Sequence, residues 1–254
     1  MNEAMSALLE QVIDITRVAG EQVLQIYHSD FEVRGKDDAS PVTEADERAE
    51  ALILRALEQC VPADPVISEE AAAAGHVPEV GQRFWLVDPL DGTKEFISRN
   101  GEFTVNIALI EAGQPVLGVV LAPALGRLFA GARGCGAFVE EAGMRKPIEC
   151  REPSSEGLEV VASRSHGDAQ ALDAFLAGRK VRSLKSAGSS LKICLVAAGE
   201  ADLYPRLGRT MEWDIAAGHA VLLAAGGQIL TLQNEPLGYG KPGLDNPHFY
   251  ARGR

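Results

Sequence analysis

The run Phe84-Trp85-Leu86-Val87, followed by Asp88-Pro89-Leu90-Asp91-Gly92-Thr93, constrains this chain more than any other segment. Four consecutive apolar residues predict a buried strand. Pro89 fixes φ and removes a donor, and Gly92 permits a tight turn. Such a turn can aim the Asp88 and Asp91 carboxylates and the Leu90 carbonyl at one point. Hard divalent cations take that oxygen set, and magnesium keeps several waters or phosphate oxygens beside a few protein ligands. Carboxylates held close together repel one another and raise their own pKa values, and a bound cation removes that penalty. Alternatively, two acids three positions apart can simply mark a solvated turn.

The flanking pattern predicts mixed helices and strands. Ala4 to Tyr27 and Thr43 to Gln59 have amphipathic helical spacing, with Thr43 or Asp46 as cap of the second helix. Phe31 to Pro41 reads as a turn or mobile loop. Pro65 to Ser68 is a short strand ending at Glu69 and Glu70, and Ala71 to Gln82 is a linker or short helix. Thr104 to Glu111 and Val116 to Ala122 flank Ala112-Gly113-Gln114-Pro115 as a hairpin. Leu128 to Val139 continues the sheet, with Gly131, Gly134 and Gly136 in turns. The polar stretch Glu140 to Gly157 suggests a subdomain boundary, dividing the chain into 1–145 and 146–254. Beyond it, strands (Leu158–Ala162, Val181–Leu184, Ala201–Tyr204, Gln228–Leu232) alternate with helices (Gln170–Leu176, Ser189–Ala198, Trp213–Ala225), which implies layered packing.

With 254 residues and 46% apolar content, the chain can bury a substantial core. A formal net charge of −12 argues against nucleic acid as a partner, because that binding relies on Lys and Arg. It does not exclude a small phosphorylated substrate, since a bound cation reverses the local field. Cys60, Cys135, Cys150 and Cys194 form no C-x-x-C pair and read as reduced thiols in a cytoplasmic protein. Neither a signal peptide nor an integral membrane segment is expected. His28, His76, His219 and His248 lack ligand spacing and read as structural.

Three further acids join the first two. Glu69 follows a strand-like run and can stand at the same sheet edge. Asp214 and Asp46 each open a predicted helix, where capping is the plain alternative. Pro41-Val42-Thr43-Glu44-Ala45-Asp46, Ile67-Ser68-Glu69-Glu70, Trp85 to Thr93 and Trp213-Asp214-Ile215-Ala216-Ala217-Gly218 resemble, in chain order, the signature segments of the inositol monophosphatase superfamily. The resemblance spans nearly the whole chain. It implies the α+β, layered α-β-α-β-α sandwich of the inositol monophosphatase and fructose-1,6-bisphosphatase type. Within that superfamily, Asp91 to Phe96, Asn106 to Ile110, Ala187 to Lys192 and Ala201 to Arg206 resemble the branch acting on bisphosphorylated nucleotides.

The resemblance implies two or three magnesium ions. Glu69, Asp88 and the Leu90 carbonyl would hold one, and Asp88, Asp91 and Asp214 a second, with Glu69 reaching a third through water. Thr93 orients the attacking water, Asp46 accepts its hydroxyl proton, and Glu69 completes the catalytic set. Substrate contacts fall on Leu90, Asp91, Gly92, Thr93, Lys94, Gly188, Ser189, Lys192, Arg206 and Asp214, with the Ser163-Arg164-Ser165-His166 turn and Ser190 as further candidates. Backbone N–H groups at Gly92 and Thr93, and at Gly188 to Ser190, are candidate phosphate donors. Lys192 and Arg206 read equally well as solvated surface residues.

The implied reaction is hydrolysis of adenosine 3',5'-bisphosphate to AMP and phosphate in sulfur assimilation, with the 5'-phosphosulfate analogue as a second substrate. Lithium inhibition is also implied. The partner is a small bisphosphorylated nucleotide, and the chain is a monomer or homodimer. A cytoplasmic place is expected, with peripheral attachment to the inner membrane face left open. The rival readings are an inositol, histidinol or sugar phosphate phosphatase, and a non-catalytic binding protein on the same fold.

Overall fold

The computed structural model describes residues 3–35, 41–163 and 169–254. Helix α1 (Glu3–Tyr27) leads to a two-stranded antiparallel ribbon of β1 (Val33–Gly35) and β2 (Pro41–Thr43), then to α2 (Glu44–Cys60). Strand β3 (Val66–Ser68), α3 (Glu69–Ala73), β4 (Arg83–Asp91) and α4 (Thr93–Ile97) follow. A meander comes next: β5 (Thr104–Glu111), β6 (Gln114–Ala122), β7 (Arg127–Ala132), β8 (Gly136–Glu141) and β9 (Met144–Ile148). The remaining elements are β10 (Leu158–Ser163), α5 (Ala169–Leu176), β11 (Val181–Ala187), α6 (Leu191–Ala197), β12 (Leu203–Arg206), α7 (Glu212–Ala224), β13 (Gln228–Thr231) and β14 (Phe249–Arg252).

Two main sheets result. The larger runs β3-β4-β5-β6-β7-β8-β9 and is antiparallel except for the parallel pair β3 and β4. The smaller is mixed, in the order β11-β10-β12-β14-β13. Alternation along β4 divides the core. Trp85 and Val87 pack with α1 and α2, whereas Phe84 and Leu86 pack with α6 and α7. The inner face of the smaller sheet, with Val161, Tyr204, Ile229 and Phe249, joins that second core, and Val160, Leu203, Leu230 and Tyr250 face α5. The layers are therefore α1/α2, large sheet, α6/α7, small sheet, α5, as the resemblance implied.

Helix α7 comes from the second half of the sequence yet lies against the first-half sheet. It approaches closely because that face is built of small residues: a Cβ on Gly118 would lie 2.2 Å from the Ala217 carbonyl oxygen. Gly131 serves the same contact within β7, where a Cβ would lie 2.9 Å from Ala224 Cβ, so it is not a turn residue. Gly134, at φ 79°, does lie in the turn, while Gly136, at φ 77°, opens β8 just after it.

Several expected boundaries move. The polar stretch after Glu140 contains β9, which crosses the expected boundary at 145. Part of the expected loop at 31–41 is the β1/β2 ribbon, while 36–40 fall outside the described residues. Helix α3 starts at Glu69 itself, and 74–82 are not helical. The four cysteines are unpaired. Among the described residues no helix is long and apolar enough to cross a membrane.

Candidate active site

The acidic run is not a turn after a strand. It is the end of the strand, distorted. Asp88 pairs with Asn106 and Asp91 with Thr104, so β4 spends one more residue than β5 over this interval. That is a bulge, placed where Pro89 cannot donate to the ladder. In a regular strand, residues three apart face opposite sides. The extra residue cancels this: Leu90 enters the α1/α2 core, while Asp88 and Asp91 both line one cavity. The chain turns only at Gly92, whose φ of 89° suits a residue without Cβ.

The cavity, of about 900 Å³, gathers the residues that the sequence scattered. Glu69 enters from α3, Asp88, Leu90 and Asp91 from β4, and Thr93 and Lys94 from α4. Gly188, Ser189, Ser190 and Lys192 enter from the β11–α6 junction, Arg206 from β12, and Asp214 from α7. Burial pushes Asp88 well above the ordinary carboxyl range, and the charges of Glu69, Asp91 and Asp214 add to it. Asp214 is raised well above that range too, by burial first and then by Asp91 and Glu69. Asp91 is raised to about 6 by burial, opposed by Lys192 and by the Ser190 N–H.

Each of these acids is engaged by the protein. The Leu90 N–H donates to Asp88 Oδ1 (3.1 Å), the Ser190 N–H to Asp91 Oδ2 (2.7 Å) and the Met211 N–H to Asp214 Oδ2 (2.8 Å). Among the described residues, no three acidic, histidine or cysteine side chains close around one point as they stand. The chemistry of the donor set nevertheless fits magnesium: four carboxylates and a carbonyl, all hard oxygens, whose mutual repulsion a cation would relieve.

Asp46 caps its helix and also accepts a hydrogen bond from Thr93. It is the third residue of α2, and its Oδ2 accepts from the Thr43 N–H (2.8 Å) and hydroxyl (2.7 Å), completing a capping box. Its other oxygen accepts from Thr93 Oγ1 at 3.4 Å. Thr93 Oγ1 also lies 3.5 Å from the Leu90 carbonyl. Asp214 likewise caps its helix while facing the cavity.

Other expectations change. Lys192 is not a solvated surface residue: it is 3% exposed, and burial lowers its pKa to about 8. Its ammonium donates to the carbonyls of Ala187 (3.1 Å) and Ser189 (2.7 Å). The Gly188 N–H donates to Glu102 Oε2 (2.8 Å), and the Ser190 N–H is taken by Asp91. Those two amides are therefore committed to carboxylates rather than open to phosphate. Arg206 donates to the Arg209 carbonyl (2.9 Å), and Lys94 is exposed at the rim. Ser163 lines the cavity, while Arg164, Ser165 and His166 lie outside the described residues. His219 is structural: buried, bonded through Nδ1 to Tyr239 Oη at 2.9 Å, its pKa lowered by burial to about 3.

Arg209 and Lys241 also line the cavity and were not anticipated. Lys241 Nζ donates to Glu212 Oε1 at 2.6 Å, which ties its loop to the start of α7. The Gly240-Lys241-Pro242-Gly243 run was the one available signal for a shaped loop there.

The sequence model of the inositol monophosphatase family matches residues 4–251. The chain is 49% identical over 234 residues to the 3'(2'),5'-bisphosphate nucleotidase CysQ of Escherichia coli strain K12, covering 91% of this chain and 94% of that one. It is 39% identical to the CysQ nucleotidase of Buchnera aphidicola, covering 99% and 96%. Among solved structures, CysQ from Bacteroides thetaiotaomicron superposes with a TM-score of 0.82 at 38% identity, covering 99% of both chains. An IMPase of Thermotoga maritima superposes at 0.81 and 26% identity, over 97% and 92%. Matched by the family model over residues 4–251 and with Glu69, Asp88, Asp91 and Asp214 on one cavity, the chain belongs to the inositol monophosphatase family.

Proposed function

We propose that this chain is a magnesium-dependent 3'(2'),5'-bisphosphate nucleotidase, which hydrolyses adenosine 3',5'-bisphosphate to AMP and phosphate in sulfur assimilation. Relatives that carry the nucleotidase name reach 49% identity across most of the chain, and the family is generally magnesium-dependent. The observation that carries the catalytic part is the Thr93–Asp46 hydrogen bond at the edge of a four-carboxylate cavity. A cavity of about 900 Å³ also admits a ligand of nucleotide size.

Glu69, Asp88, Asp91, Asp214 and the Leu90 carbonyl would hold the cation. When bound, magnesium supplies positive charge against the phosphoryl oxygens, which favours in-line displacement. Thr93 donates its hydroxyl proton to Asp46 and so presents a lone pair to the attacking water. The water oxygen is thereby aimed at phosphorus, and its proton moves toward Asp46 through the Thr93 hydroxyl. The ribose 3'-oxygen leaves and is protonated from solvent. Positioning and electrostatics carry most of phosphoryl transfer, so no phosphoenzyme is required. Lys94 and Arg206 meet the second phosphate at the rim.

Product analysis by chromatography tests the regiochemistry. Adenosine 3',5'-bisphosphate should yield AMP and one phosphate. Accumulation of adenosine 3'-phosphate would contradict the proposal.

A further inference from the structure

Ser190 stands where the two halves of the site meet. Its N–H donates to Asp91 Oδ2 at 2.7 Å, and its hydroxyl donates to the main-chain carbonyl of Asp214. Asn106 Nδ2, from β5, donates to the same hydroxyl at 3.3 Å. One residue, 2% exposed, thus joins the bulged strand that carries Asp91, the central sheet and the first turn of α7 that carries Asp214.

The loop that carries Ser190 is tied down on several sides. Ser189, just before it, has φ of 44°, a left-handed conformation that a non-glycine residue holds only when its surroundings impose it. Here they do. Lys192 bonds the carbonyls on both sides of Gly188, and Glu102 accepts the Gly188 N–H. A Cβ on Gly188 would lie 2.6 Å from the Glu102 carbonyl oxygen, so the loop packs closely against that backbone.

We propose that Ser190 is a positioning residue, which pins Asp91 and Asp214 to a common fixed point so that both carboxylates are held within reach of one cation. The inference rests on the magnesium reading given above. Asp91 arrives on a bulge and Asp214 on a helix from the other half of the sequence, and nothing covalent sets their separation. Their charges oppose each other's approach. The hydroxyl link counters that opposition before any cation arrives. Both polar groups of Ser190 are spent on this link, the N–H on Asp91 and the hydroxyl on the Asp214 carbonyl.

Calorimetric titration of the full chain with magnesium chloride, without substrate, tests this. Ser190→Ala keeps the N–H to Asp91 and removes the link to Asp214. It should weaken magnesium binding about tenfold, the scale typical of partners behind metal ligands. The magnesium concentration giving half-maximal activity should rise by the same factor. Ser190→Thr, which retains the hydroxyl, should recover most of the affinity. Asn106→Ala, which loosens the same hydroxyl without touching either acid, should weaken binding in the same direction and serves if Ser190→Ala does not fold. If folded Ser190→Ala binds magnesium as the wild type does, the positioning role is overturned and the nucleotidase reading stands. If the wild type itself takes up no magnesium, both fall.

Discussion

Thr93 Oγ1 lies 3.4 Å from Asp46 Oδ1, although 47 positions separate them in sequence. The contact exists because the capping box of α2 turns one Asp46 oxygen to the backbone and leaves the other for Thr93. One carboxylate thus both caps a helix and accepts a hydrogen bond from Thr93.

Thr93→Val removes the hydroxyl and nearly preserves shape. It should lower kcat by about 100-fold or more, the range of a lost proton-transfer partner, with magnesium affinity unchanged. Asp46→Asn should match it in kcat while keeping most of the helix cap. Steady-state kinetics with parallel magnesium titration checks both. A Thr93→Val enzyme with full kcat would remove Thr93 from the reaction.

The acid cluster should behave as a liability without metal. Asp88→Asn removes a buried charge beside three others. Its metal-free melting temperature should rise above that of wild type, and the stabilisation that magnesium gives the wild type should vanish. Differential scanning calorimetry with and without magnesium reads both effects. A variant that melts lower and still responds to magnesium would show that Asp88 is structural and not a ligand.

The pH dependence has a definite sign. Asp91 has its carboxyl raised from 3.8 to about 6, so the folded chain binds its proton more tightly than the unfolded one. That contribution is fully present below about pH 3.8 and is lost as pH rises through about 6. The stability of metal-free Asp91→Asn relative to wild type should therefore grow between about pH 4 and pH 7. Urea unfolding across that range measures the difference, and a flat or falling trend would contradict the raised value.

The approach of α7 to the large sheet makes Gly118 intolerant of substitution. A Cβ there meets backbone, not a flexible side chain. Gly118→Ala should cost about 3 kcal/mol or more, at the upper end of overpacking effects, and should shift the urea midpoint accordingly. An unchanged midpoint would mean that the helix can retreat freely.

Much of this was legible from the residues. The apolar run before Asp88, the helical spacing of α1 and α2, and the α/β alternation after Leu158 gave the layers. The acids at 46, 69, 88, 91 and 214 gave the site through family resemblance. Local pattern did not reveal how Asp88 and Asp91 come to face the same way, because a bulge is a property of two strands in register. Nor did it reveal the fate of Lys192 and Gly188. Their partners, the carbonyls of Ala187 and Ser189 and the Glu102 carboxylate, are set by a tight loop and by contact across 86 positions. Strand β9 was missed because its residues are largely exposed, so the period-2 apolar signal is absent.

The central claim is that a bisphosphorylated nucleotide is the substrate of this magnesium-dependent site. The most direct measurement is kcat/KM for adenosine 3',5'-bisphosphate against inositol 1-phosphate, in magnesium, on the same preparation. The account predicts a clear preference for the nucleotide, with activity for both lost on chelation of magnesium. Faster turnover of inositol 1-phosphate would contradict it.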